Sequence, residues 1–193
     1  MYRRRVSSGA RMAMAAKYEL KTTEDVTCKE GRIRLVAIKA KSQLATTRHL
    51  NCVLSWLEKV EQLFLDGEHT TGSLKDLEDV ALDRLTRLQM RGRNVDADLG
   101  RLSSFDSIAL KLSGSKVRGG LGELGWAKLQ FLDLRGAEQV FGDLTSIPAG
   151  SPLKGLCVQR ANVTGDVTKT LREHENLMYL HLQHTHTCLW FNQ

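Results

Sequence analysis

Proline is nearly absent from this chain. The two that occur, Pro148 and Pro152, fall close together and mark one loop. Cysteine is sparse: Cys28, Cys52, Cys157 and Cys188 lie far apart with no Cys-x-x-Cys. That spacing excludes a paired-cysteine motif and reads as reduced thiols in an intracellular, cytoplasmic protein. No run of eighteen apolar residues occurs, so no segment reads as a membrane-spanning helix. The start lacks the 7–15-residue apolar core of a secretory signal.

Charge of one sign is missing locally rather than overall. The chain carries +6. Residues 1–60 hold 13 Lys/Arg against 5 Asp/Glu, and residues 61–193 hold 15 against 17. The basicity therefore belongs to the amino-terminal part, which weakens a nucleic-acid reading for the remainder, where a basic stripe would be needed. Met1 to Lys17 contains Arg3, Arg4, Arg5 and Arg11 and no acid. A disordered basic tail and an organelle transit peptide both fit that composition, and the second would place the protein in a mitochondrion or plastid. The same arginines offer a contact for nucleic acid or an acidic surface. Residues 18–32 read as a polar, irregular linker.

What the chain has in quantity is spaced leucine. Leu129-Leu132-Leu134, Leu153-Leu156-Val158 and Leu177-Leu180-Leu182 share one pattern, with Gly142-Asp143-Leu144 and Gly165-Asp166-Val167 trailing the first two. The last apolar residue of each unit falls at Ala40, Leu65, Met90, Leu112, Leu134, Val158 and Leu182, at intervals of 22 to 25. A small or β-branched residue follows at Ala45, Thr70, Val95, Val117, Val140, Val163 and Thr187. Two further on come Gly72, Gly119, Gly142 and Gly165, with Ala97 and Thr47 as substitutes. Then come Leu74, Leu99, Leu121, Leu144 and Val167, and three or four later Leu77, Leu102, Leu124, Ile147 and Leu171. A fixed period of this length is the mark of a stack of similar units.

Each unit begins with a short strand having one buried face, as in Leu132-Asp133-Leu134. A Gly two past the strand (Gly67, Gly92, Gly114, Gly136) turns the chain without a Cβ penalty. The second Gly marks another bend, and the last leucine pair gives a turn of 3₁₀ or α-helix. Leu50 to Leu65 reads as a short helix leading into a strand. Burying a leucine is worth roughly 1.5–3 kcal/mol, and a unit of this size gains it only when the next one stacks on it.

Over about residues 33 to 188 the pattern resembles the leucine-rich repeat, and its period and second-turn Gly look most like the plant-type subclass. That subclass has Gly-x-Ile-Pro where this chain has Gly-Asp-Leu or Gly-Gly-Leu. The family's polar slot holds Ser115, Ala137, Ala161 and Thr185, so the usual asparagine ladder is missing or patchy. The resemblance implies an α/β solenoid, a horseshoe with a parallel sheet on its concave face and short 3₁₀, α or irregular segments on its convex face. About seven repeats then occupy 33–193, the last incomplete, after a basic segment at 1–32.

The resemblance further implies a non-catalytic, protein-binding scaffold whose concave residues lie between the buried leucines. Three rows are expected there. One is Phe64, Gln89, Lys111, Asp133, Cys157 and His181. Its neighbour is Asp66, Arg91, Ser113, Arg135, Gln159 and Gln183. The third is Gln62, Arg87, Ala109, Phe131, Gly155 and Tyr179. Phe64, Asp66, Arg87, Gln89, Arg91, Lys111, Phe131, Asp133, Arg135, Gln159, Tyr179 and His181 are the candidate partner contacts. Arg and aromatic side chains are the usual anchors of protein interfaces. The other function class is a structural subunit of an organellar or ribonucleoprotein complex, docked through the basic amino-terminal segment.

Two constellations have the look of chemistry. His181, His184, His186 and Cys188 are zinc-compatible types within eight residues. In the repeat frame, though, His181 faces the concave side while His184 and His186 lie past the strand, so no metal is expected. Gly119-Gly120-Leu121-Gly122, with Gly125, has the glycines of a phosphate loop without its Gly-Lys-Ser/Thr ending. No nucleophile triad, carboxylate pair or cofactor fingerprint stands outside the repeat, so neither enzyme activity nor a cofactor is expected. After Cys188, Leu189-Trp190-Phe191 replaces Gly-Asp-Leu. It reads as an improvised lid, as the interruption of a longer array, or as a surface for association through that end.

Overall fold

The computed structural model describes residues 26–29, 32–39, 61–66, 71–74, 85–92, 94–103, 105, 107–114 and 116–188. The chain folds as an α/β solenoid whose leucine-bearing repeats build two sheets with a core between them. Seven parallel strands, one per unit, form the longer sheet: β2 (Arg32–Lys39), β3 (Gln62–Asp66), β5 (Arg87–Arg91), β7 (Ala109–Ser113), β9 (Phe131–Asp133), β11 (Gly155–Cys157) and β13 (Tyr179–His181). Val26–Lys29 adds an eighth, β1, antiparallel to β2.

The leucine pattern explains the register. Leu63, Leu88, Leu110, Leu132, Leu156 and Leu180 stand opposite one another from β3 to β13. The first five of them are buried, as are the residues two further on, Met90, Leu112, Leu134 and Val158. The leading position is buried Leu85, Leu129 or Leu153 in three units. In the fourth it is Ser107, whose hydroxyl donates to the Thr86 and Ala109 carbonyls at 3.0 and 2.9 Å, so its burial leaves no unmet polar group.

One anchor moves. Ile38, not Ala40, stands opposite Leu65, and Val36 opposite Leu63. A strand's period of two leaves a slip of two residues unmarked, so Val36, Ile38 and Ala40 fit the apolar face in either frame. The sheet also reaches back to Val26, into the stretch read as an irregular linker and ahead of the boundary at Ile33. Lys29 stands opposite Arg32 in the antiparallel β1–β2 pair, and β1 carries no leucine to mark it. Arg3, Arg4, Arg5 and Arg11, the segment from Leu50 to Val60, and Leu189 onward lie outside the described residues.

A second parallel sheet forms where a mere bend was expected. Its strands are β4 (Thr71–Ser73), β6 (Asn94–Asp98), β8 (Lys116–Gly120), β10 (Gln139–Asp143), β12 (Asn162–Asp166) and β14 (His186–Cys188). Its units are staggered by two residues, so the β-branched slot of each pairs with the small slot of the one before. Val95 stands opposite Gly72, Val117 opposite Ala97, Val140 opposite Gly119, Val163 opposite Gly142 and Thr187 opposite Gly165.

The next residue starts the second turn, and Asp often caps it. Asp98 accepts from the Gly100 N–H, Asp143 from Thr145 and Asp166 from Thr168 and Lys169. Where Gly120 replaces Asp, the Glu123 carboxylate reaches back to the Gly120 N–H at 3.0 Å. Leu99–Leu102, Leu121–Glu123 and Leu144–Ser146 are 3₁₀ turns, and Val167–Glu173 is a true α-helix, α1. The last inward position nonetheless stays three residues after the first. Leu102, Leu124 and Ile147 are buried there, and in α1 that place falls to Thr170, which is buried, while Leu171, one further on, is 47% exposed.

Candidate functional site

The three rows expected on the concave face exist as registers. Phe64, Gln89, Lys111, Asp133, Cys157 and His181 stand opposite one another, and so do Gln62, Arg87, Ala109, Phe131, Gly155 and Tyr179. Asp66, Arg91 and Ser113 continue the third row within strands. Arg135 and Gln159 lie just past β9 and β11, and backbone bonds carry the alignment on, with Gly136 N–H donating to Gln159 and Arg160 N–H to Gln183. Because side chains alternate along a strand, these rows share the face opposite the buried leucines.

The rows are uneven in a useful way. From β5 to β13 the row that begins at Gln62 reads Arg87, Ala109, Phe131, Gly155, Tyr179, alternating large and small. Phe131 is 40% exposed and Tyr179 56% exposed. Between them Gly155 is buried, and the Phe131 ring leans over it so closely that a Cβ there would come within 2.9 Å of Cδ1. Two hollows result. One, of about 180 Å³, is bounded by Phe131, Gly155, Cys157, Tyr179, Lys111 and Arg135. The other, of about 280 Å³, is bounded by Phe64, Arg87, Gln89, Ala109, Lys111 and Phe131. Lys111 and Phe131 line both and form the ridge between them. Ala109, Gly155 and Cys157 are thus part of the site, though types picked for binding strength pass them over. The large–small alternation along the row is the signal that finds Ala109 and Gly155.

Charge on this face is unbalanced. Arg135 and Asp133 neutralise each other in a forked pair. Nε lies 2.9 and 3.2 Å from the two carboxylate oxygens and Nη2 lies 2.7 Å from Oδ2. The hydrogen bond and charge of Asp133 raise the Arg135 pKa further above its ordinary value. Arg87 and Lys111 are exposed and, among the described residues, join no ion pair. Burial pushes the Cys157 thiol up, as does the nearby Asp133 carboxylate, against a hydrogen bond from the Gln159 backbone. Cys157 at the floor therefore stays a protonated, weakly polar surface at neutral pH.

At the β13 end a polar chain fixes the side chains. The Tyr179 hydroxyl lies 3.4 Å from His181 Nδ1, and His181 Nε2 lies 3.4 Å from Gln183 Oε1, which also accepts from Gln159 Nε2 at 3.1 Å. A neutral His181 with its proton on Nε2 satisfies all three contacts. His184 sits in the turn after β13 and His186 in β14 of the other sheet, so the four-residue His/Cys group is spread over both sheets and the link between them. Among the described residues no cluster of three His, Cys, Asp or Glu is placed to hold an ion. Gly119 and Gly120 end β8, and Gly122 lies in the following 3₁₀ turn.

No protein-family model and no curated protein matches the chain. Among solved structures it is similar to the LRR ectodomain of the receptor kinase SOBIR1 from Arabidopsis thaliana. That match has 14% sequence identity and a TM-score of 0.48, over 94% of each chain. A likeness of that degree names no partner. The fold class rests on the strand registers themselves. Among the described residues no helix is long and apolar enough to cross a membrane, a statement that leaves strand-built membrane proteins aside.

Proposed function

We propose that the chain is a non-catalytic, intracellular scaffold that holds another protein against the concave face of its longer sheet. The observation that carries this reading is the unbroken register that brings exposed Arg87, Lys111, Phe131 and Tyr179 onto one surface of consecutive strands. Arg and aromatic groups supply most of the energy at protein interfaces, and the hollows beside Phe131 give an anchor somewhere to insert. Every strand that carries them is locked in a parallel ladder, so the surface is pre-formed and little ordering cost opposes binding.

A photoreactive residue at Gln89, beside the larger hollow, tests this. The full chain should crosslink a protein partner, and the double variant Arg87→Glu/Lys111→Glu should lose that product. A change on the second sheet, Asn162→Lys, should leave it intact. An unchanged product in the double variant would overturn the reading. Arg135 is a poor choice for reversal because its replacement would leave Asp133 without its counter-ion. Removing residues 1–25, ahead of the β1–β2 hairpin, should leave the crosslink in place. Its loss in that variant would instead favour docking through the basic segment.

A further inference from the structure

We propose that the concave face takes an acidic polyproline-II segment whose two apolar side chains, three residues apart, fill the two hollows. This deepens the scaffold reading and rests on it. The match begins with spacing. Each hollow includes one small residue of the same row, Ala109 on β7 and Gly155 on β11, with β9 between them. Neighbouring strands lie about 4.8 Å apart, so these two small positions are roughly 9.6 Å apart across the sheet. A polyproline-II chain rises about 3.1 Å per residue with three residues per turn, which returns a side chain to the same face every ~9.3 Å. An extended β-strand repeats on one face every ~6.8 Å and misses the second hollow.

An α-helix fails for another reason. Its one-face repeat of seven residues spans about 10.5 Å, but it also presents a side chain midway, at the third or fourth residue. Midway lies the Phe131 ridge, which stands 40% exposed between the hollows. A polyproline-II segment points the two residues between its anchors to either side instead of straight down onto the ridge. Its proline rings can then lie along the flanks of Phe131 and Tyr179, the kind of aromatic surface such helices dock against.

Charge sets the sign of the segment. Lys111 lines both hollows and so faces the two residues between the anchors. Arg87 flanks the outer end of the larger hollow. Neither has an acid among the described residues to pair with, and the one carboxylate at the smaller hollow, Asp133, is held by Arg135. A Glu or Asp between the anchors completes Lys111, whereas a Lys there would oppose it.

A fluorescent peptide of sequence Glu-Pro-Leu-Pro-Glu-Leu-Pro-Glu, titrated with the full chain and followed by anisotropy, is the probe. Saturable micromolar binding is expected. Replacing every Glu by Lys, or moving the leucines to a two-residue spacing, should each weaken it by about tenfold or more. Lys111→Glu should reverse the preference between the Glu and Lys peptides, and Ala109→Leu, which fills the larger hollow, should weaken the Glu peptide by at least about tenfold. Circular dichroism checks that both variants keep the wild-type melting temperature. No saturation into the millimolar range, or equal affinity for the Glu and Lys peptides, or for the two spacings, overturns the proposal. The Gln89 crosslink separates the two levels. A partner crosslinked there that the Glu peptide cannot displace leaves the scaffold reading standing and ends this one. A crosslinked product that persists unchanged in the Arg87→Glu/Lys111→Glu variant, together with failed peptide binding, ends both.

Discussion

Arg160 holds the backbone conformation that Gly136 holds one repeat earlier. Their φ angles are +63° and +72°, and each sits third in a four-residue turn closed by a backbone bond, Ala137 N–H to Leu134 and Ala161 N–H to Val158. A positive φ at the third position alone defines a type II turn, which calls for glycine. His184 repeats the arrangement at φ +59°, with Thr185 N–H donating to Leu182. The repeat thus sets the turn geometry, and two units fill it with a residue that resists it.

Relief of that strain is measurable. A left-handed conformation costs a non-glycine residue roughly 1–2 kcal/mol, and glycine gives back about 0.4–1 kcal/mol through the freer unfolded chain. Arg160→Gly should therefore stabilise the protein by roughly 0.5–1 kcal/mol, or about 1–4 °C in melting temperature for a chain of this size. His184→Gly should do the same. A melting temperature that falls in both variants would contradict the turn assignment.

Acid should weaken the second sheet through Asp143. Its carboxylate accepts from Thr145 N–H at 2.8 Å, Thr145 Oγ1 at 2.7 Å and, across the strand boundary, Thr164 Oγ1 at 3.1 Å. The backbone bond from Thr145 leads in holding its pKa below the ordinary 3.8, and the two hydroxyls and Lys169 add to it. A carboxyl with a lowered folded-state pKa stabilises the fold above the unfolded value, and the gain is lost as pH falls through the folded value. Asp143→Ala should cost about 1 kcal/mol at neutral pH. In urea titrations its difference from the parent should shrink below about pH 4. A difference that stays constant down to pH 2 would exclude the carboxylate as its source.

Much of this architecture can be read from the sequence, and the misses share physical causes. Leucine spacing locates the strands from β3 onward, because burial of one face every second residue is what the sheet requires. The two-residue slip at Ala40 goes unseen because the same alternation cannot detect it. The second sheet hides for a related reason: Val117 and Gly119 look like a filler and a bend, and only their stagger against Ala97 and Val140 makes them a ladder. Leu171 looks inward by its leucine, but the inward place is three residues after Val167, as in the other units, and Thr170 holds it. On the concave face the rows follow from alternation alone. Arg135 and Asp133 fall in different rows, and their mutual pairing depends on side-chain rotamers that spacing does not encode.

Ser151 and His174 form a buried polar pair at equivalent places in successive units, with Oγ 3.3 Å from Nδ1. His174 Nε2 is buried and, among the described residues, has no hydrogen-bond partner. A half-satisfied buried pair is costlier to break than to replace whole. Ser151→Ala alone and His174→Leu alone should each destabilise by roughly 1–3 kcal/mol, while the double variant should be nearer the parent than either. Chemical denaturation of the four proteins gives the coupling directly, and additive losses would count against the pairing.

Gly165 and Gly136 allow backbone strain to be separated from crowding. Both have positive φ, +122° and +72°. A Cβ at Gly136 would meet nothing within 4 Å, whereas at Gly165 it would lie 2.8 Å from Asp143 Oδ1 and 2.9 Å from the Leu144 nitrogen. The second contact is with backbone, which cannot swing aside, and it arises because the staggered ladder draws β12 against the turn that follows β10. Gly136→Ala should then cost only the conformational term less the unfolded-chain offset, about 0.5–1 kcal/mol. Gly165→Ala should cost more, roughly 3 kcal/mol or above, since strain and overpacking add. If the two substitutions prove equally mild in denaturant titrations, the second sheet does not pack its units as closely as the Val163–Gly142 and Thr187–Gly165 registers require.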